Sequence, residues 1–220
     1  MPLFQQYVKR IKNTSALYVL CQIEKKKKAS IPFPTLENRI EEIYSTEGKK
    51  LEGIYYGDTI ELYGKTNTGK TYIVSQFIEH TLKHQDSTKV LYINLTQKPL
   101  KNNDNLICDK LYYFQPMDNN ELITFIYGIE KWFYDHHQQF IGWVVIDGEW
   151  IEDRHQEGQQ EEKMKLLLLK KLKSLQDHWS FILLYTNRLK TLLSDSSSSR
   201  ESFYQIECYK KDSTIGVKLL

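Results

Sequence analysis

Gly64-Lys65-Thr66-Asn67-Thr68-Gly69-Lys70-Thr71 is the stretch that decides the fold. It satisfies the pattern G-x-x-x-x-G-K-[ST] at every required position, and its flanks supply the context the pattern needs. Thr59 to Tyr63 reads as a strand and Lys70 to Lys83 as a helix. The glycines let the backbone curl so that its N–H groups converge on phosphate oxygens, and the helix adds its positive N-terminal end. Lys70 is expected to reach the β- and γ-phosphates of a nucleotide, and Thr71 to offer its hydroxyl to magnesium. All eight residues are therefore candidate nucleotide-binding residues, with ATP and magnesium as the implied cofactors. A vestigial loop that binds nothing would carry the same letters.

The magnesium partner should be an aspartate at the end of a buried strand. Trp143-Val144-Val145-Ile146-Asp147 supplies it, 76 residues after Thr71. Loop and aspartate support each other and imply a P-loop NTPase core. Around them the pattern alternates. Lys89 to Asn94 and Leu111 to Gln115 read as strands, 118–137 as a helix, 161–178 as a helix, and Phe181 to Thr186 as a strand. Phe203–Tyr209 and Thr214–Leu219 read as a closing hairpin. Continuous apolar strands between amphipathic helices predict an α/β fold whose mostly parallel sheet has helices on both faces.

The chain has 220 residues, 40% hydrophobic and 26% charged, enough for one sizeable domain and too apolar for a disordered one. No run approaches the ~18 apolar residues of a membrane span, so no membrane partner is expected. Met1-Pro2-Leu3-Phe4-Gln5 lacks a basic-then-apolar signal pattern, which points to an intracellular protein. Cys21, Cys108 and Cys208 are widely spaced and read as reduced thiols. The net charge of +2 divides into +5 over residues 1–50, −9 over 51–162 and +6 over 163–220. Such asymmetry suits a polyanion or a charged protein partner as well as a solvated surface. Residues 1–50 read as a helical N-terminal extension and linker, with the run Lys25-Lys26-Lys27-Lys28 and the extended Ile31-Pro32-Phe33-Pro34. The lysine run has three readings: a nuclear signal, a phosphate contact or a solvated linker. Residues 51–220 read as the nucleotide-binding core.

Leu51-Glu52-Gly53 followed by Gly57-Asp58-Thr59-Ile60-Glu61-Leu62-Tyr63-Gly64 leads into the loop, and Phe181-Ile182-Leu183-Leu184-Tyr185-Thr186-Asn187 follows later. In order and spacing these segments resemble the RecA-type recombinase family over roughly residues 50–190. The resemblance implies a RecA-like core and, with the helical lead-in, a eukaryotic member. Departures narrow the branch. The family glutamate that polarises the attacking water is replaced by Thr96, and loss of such a base costs a factor of roughly 10²–10⁴. Gln97 and Glu149 are weak substitutes for catalysis. Arg188 stands where the family carries a γ-phosphate-sensing glutamine.

The segment corresponding to the family's first DNA loop holds Glu149, Glu152, Asp153, Glu157, Glu161 and Glu162 against Arg154 alone, which repels phosphate. The second loop is reduced to a serine-rich stretch between Arg188, Lys190 and Arg200. A full recombinase filament is therefore not expected of this chain alone. The pattern is similar to that of recombinase paralogues, of the recombinase-D-like or Shu-complex type. That resemblance implies an ATP-binding, nuclear subunit of a hetero-complex in homologous-recombination DNA repair. Its expected partners are other paralogues and the main recombinase, with single-stranded DNA touched weakly or indirectly, and its ATPase is at most weak and DNA-stimulated. The alternative is a P-loop small-molecule kinase or NTPase unrelated to DNA repair. His80 and His84, four apart on a helix, lack an evident third metal ligand.

Overall fold

A computed structural model describes residue 29 and residues 54–85, 87–96, 109–148, 158–188, 203–211 and 214–219. The expected helical lead-in over residues 1–50, apart from Ala29, lies outside the described residues, as does the serine-rich stretch.

The elements run β1 (Thr59–Tyr63), α1 (Lys70–His84), β2 (Thr88–Asn94), β3 (Leu111–Phe114), α2 (Asn119–Asp135), β4 (Phe140–Asp147), α3 (Gly158–Trp179), β5 (Ile182–Asn187), β6 (Phe203–Lys211) and β7 (Thr214–Leu219). They build one seven-stranded sheet in the order β3-β2-β4-β5-β1-β6-β7. Every pairing is parallel except β6 with β7. The α/β reading holds, and so does the mostly parallel sheet. Element ends move modestly from the expected ones: β4 begins at Phe140, not Trp143, and α3 at Gly158, three residues early.

Side-chain alternation along the strands sorts the core into two layers. On one face α1 lays Ile73, Val74, Phe77, Ile78 and Leu82 against Ile60, Leu62, Val90, Trp143, Val145 and Leu184. On the other, Leu122, Ile126, Ile129 and Phe133 of α2 and Leu169, Leu172 and Leu175 of α3 cover Leu91, Ile93, Val144, Ile146 and Leu183. The central strands are apolar on both sides because both sides are covered. Phe133 stacks on Trp179 and Phe181, with ring centroids 5.1 and 5.4 Å away, locking α2 onto the end of α3.

Polar ties fix the strand ends opposite the loop. Gln176 of α3 is buried, accepts from Thr59 Oγ1 at 3.1 Å, and shares its amide protons among the carbonyls of Gly57, Asp58 and Phe181. Ala29, just after the lysine run, is buried in the α1-side core and donates its N–H to the Ile54 carbonyl at 2.7 Å. Ala29 thus ties the chain before residue 54 to the core.

Candidate nucleotide site

Strand order brings the site together at the carboxyl ends of β1, β5, β4 and β2, where open α/β sheets hold ligands. The loop leaves β1 at Gly64, whose N–H donates to the Asn187 carbonyl at the end of β5 (3.2 Å). Asn67 takes a left-handed φ of 63° and Gly69 one of 88°, so the chain turns sharply into α1. Gly69 stands at the N-cap with no side chain capping the helix, which leaves the first-turn N–H groups to a ligand. Thr68 closes the turn through its hydroxyl on the Lys65 carbonyl (2.8 Å). Lys70 Nζ folds over the curl to the carbonyls of Gly64 (2.6 Å) and Lys65 (2.9 Å). Its ammonium therefore sits over the loop that the sequence pattern assigns to phosphate. Lys65, Thr66 and Asn67 are exposed at the rim.

Asp147 closes β4 and is 0% exposed. Thr71 Oγ1 donates to its Oδ1 at 3.3 Å, so the two residues expected to share magnesium do meet. Tyr92 Oη donates to Oδ2 at 3.1 Å. Thr186, at the end of β5, accepts from the Gly148 N–H at 2.8 Å. Burial raises the Asp147 carboxyl above its ordinary value of 3.8, against the hydrogen bonds from Thr71, Tyr92 and Thr186 and the Lys70 charge. The same burial, with the Asp147 charge, pushes the Tyr92 phenol up. A buried carboxylate whose desolvation outweighs its hydrogen bonds suits a cation. Among the described residues no three His, Cys, Asp or Glu side chains cluster as a metal centre. Magnesium fits two protein oxygens nonetheless, because it takes its remaining ligands from phosphates and water.

This environment has a measurable sign. A carboxyl whose folded pKa lies above its unfolded one binds protons more readily in the folded state. It therefore costs stability at neutral pH, and the cost is relieved as pH falls through the raised value toward 3.8. Asp147→Asn is expected to raise the thermal midpoint of the ligand-free protein near neutrality, by about 2–4 °C for each kcal/mol recovered. The same change should weaken magnesium-dependent nucleotide binding by at least the ~10–100-fold that even outer-shell partners contribute at metal sites. A lower midpoint in Asp147→Asn would contradict the burial argument.

Gly148 follows Asp147 at a φ of 123°, and a Cβ there would stand 2.7 Å from the backbone of Leu95 and Thr96. Only glycine lets β4 leave so close to the end of β2. Asn94 is buried and lies level with Asp147 in the β2–β4 register. Its Oδ1 accepts both the N–H (2.9 Å) and the hydroxyl (2.7 Å) of Thr96. Thr96, expected from the resemblance to stand in place of a catalytic glutamate, is thus a hydroxyl tied to Asn94 and not a group that takes a proton from water at neutral pH. The substitutes Gln97 and Glu149 lie outside the described residues, as do Lys190, Arg200 and acidic residues 149–157.

Glu61 is buried at 0% exposure on the face away from α1. Its Oε1 accepts from Asn187 Nδ2 (2.9 Å) and its Oε2 from Gln205 Nε2 (2.8 Å), joining β1 to both neighbouring strands. Arg188 is exposed, and its backbone N–H donates to Asn187 Oδ1 at 2.9 Å. His80 and His84 pack ring against ring, with centroids 4.5 Å apart. Tyr92, Asn94 and Gly148 were not singled out in the sequence, and Thr186 entered it only as part of a strand ending. Strand alternation held the signal: Tyr92 shares the face of Val90, and Asp147 that of Val145, both toward α1.

No protein-family model matches this chain, and no curated protein matches it in sequence.

Proposed function

We propose that the chain binds magnesium–ATP on the loop 64–71, with Thr71 and Asp147 holding the metal and Lys70 the β- and γ-phosphates, and turns it over slowly or not at all. The observation that carries this reading is the pairing of Thr71 with Asp147 beneath a complete loop, beside a Thr96 that cannot serve as a base. We infer further, from the RecA-type resemblance, a recombinase paralogue that assists homologous-recombination repair in the nucleus. In this role it is a subunit of a hetero-complex that promotes or stabilises recombinase filaments on single-stranded DNA. The strand order supports the RecA-like form of the core, because the Thr186–Asn187 end of β5 lies between the loop strand and the Asp147 strand. A residue there faces both the γ-phosphate and the metal. Bound nucleotide then acts chiefly by stabilising a subunit interface.

Two measurements test the reading. Affinity purification of the tagged protein from its source cells should recover recombinase-related subunits. A turnover assay with and without single-stranded DNA should find little ATP hydrolysis in either condition. Fast, DNA-independent phosphoryl transfer to a small acceptor would favour a kinase instead.

A further inference from the structure

The hairpin of β6 and β7 lies on one side of β1, while β5 and the Asp147 strand β4 lie on the other. It also touches the loop directly. A Cβ at position 64 would stand 2.3 Å from the Cys208 carbonyl oxygen, and one at position 69 would stand 2.5 Å from Ile215 Cδ1. Both loop glycines are therefore seated against the hairpin. The Cys208 side chain is buried in the α1-side core, where the Lys70 charge reaches it.

Lys210 follows Cys208 by two residues and so leaves the sheet on the same face. It lies opposite Ile215 in the hairpin register, and cross-strand partners share a face. Tyr63, the last residue of β1, is level with Glu207. At ~3.3 Å per residue Lys210 therefore stands about 10 Å further along, at the height of the loop. It is exposed, and among the described residues no ion pair engages it. Lys218, opposite Glu207, leaves on the other face.

A nucleotide whose terminal phosphate meets Thr71 and Asp147 can run back along the loop past Gly64 and Gly69, on the side where the hairpin stands. We propose that Lys210 is a further nucleotide-binding residue, contacting the α-phosphate of a nucleoside di- or triphosphate, with Ile215 and the hairpin forming the wall of the site on that side. This rests on the nucleotide reading of the loop and extends the site to an element that carries no part of the motif.

The test is calorimetric titration of the full chain with magnesium–ADP and magnesium–ATP. Lys210→Gln, which keeps the side chain's length, is expected to raise both dissociation constants by about five- to tenfold, the size of one partly solvated charge-assisted contact. Lys218→Gln removes the same charge from the same hairpin and should stay within about twofold of wild type. Equal effects of the two variants would overturn the assignment, and so would a loss confined to ATP, which would move the contact to the terminal phosphate. Absence of binding by the wild-type protein would sink the nucleotide reading itself, and the role of Lys210 with it. Binding that is unchanged in Lys210→Gln would sink only the latter.

Discussion

Lys70→Ala is expected to weaken magnesium–ATP binding by ~10²–10⁴-fold, because two hydrogen bonds from an ammonium to charged phosphate oxygens contribute about 1.5–3 kcal/mol each. The ligand-free fold should barely respond. Lys70 is half-exposed, and its acceptors include two carbonyls of the loop itself. Titration calorimetry beside a thermal melt separates the two effects. A variant that binds within threefold of wild type would mean that the loop does not grip phosphate. The same variant also examines what the nucleotide is for. If binding is abolished while complex assembly and repair persist, the retained loop is vestigial.

The largest effect on stability is expected at Glu61. Glu61→Ala removes the buried carboxylate that accepts from the half-buried amides of Asn187 and Gln205, and a hydrogen bond to a charged group contributes about 1.5–3 kcal/mol. We expect a loss of about 2–5 kcal/mol in chemical denaturation. Glu61→Gln should cost roughly half as much. Its carbonyl oxygen still accepts one amide, but its own NH2 group faces the other. A loss below about 1 kcal/mol in Glu61→Ala would show that water reaches the pair. The damage should also spread to the loop, since Asn187 anchors Glu61 through its side chain and Gly64 through its carbonyl.

The resemblance singled out Glu61 and the Thr186–Asn187 strand end as separate signatures. The structure joins them: the carboxylate that precedes the loop is held by the asparagine that ends β5, 126 residues later. No local pattern contains that information. The same holds for Tyr92, which reads in sequence as one more strand aromatic. It becomes a partner of Asp147 only when β2 pairs with β4 in a register that brings the two to the same face.

Elements and their faces were legible because helix and strand periodicities are written within single segments. Leu122, Ile126, Ile129 and Phe133 fall on one stripe of α2 and are all buried. The expected end of β1, the start of α1 and the aspartate ending β4 were legible for a different reason. A phosphate-binding loop needs glycine where φ is positive and a strand to leave from, so its chemistry dictates its own neighbours. Element ends were less legible, as at Phe140 and Gly158, because tertiary pairing extends a strand or helix past the point where its own pattern stops.

The amino-acid sequence by itself thus determined the loop, the lysine and threonine it presents, the buried strand that delivers Asp147, and the covered parallel sheet. Only the tertiary structure decided which groups surround that carboxylate, which strands clasp Glu61, and that the last hairpin presses on Gly64 and Gly69 and brings Lys210 to their level. The division has one physical cause. Backbone conformation and amphipathic faces depend on residues a few positions apart, whereas strand order and register depend on pairings between separate segments, some more than a hundred residues distant, such as Glu61 with Gln205.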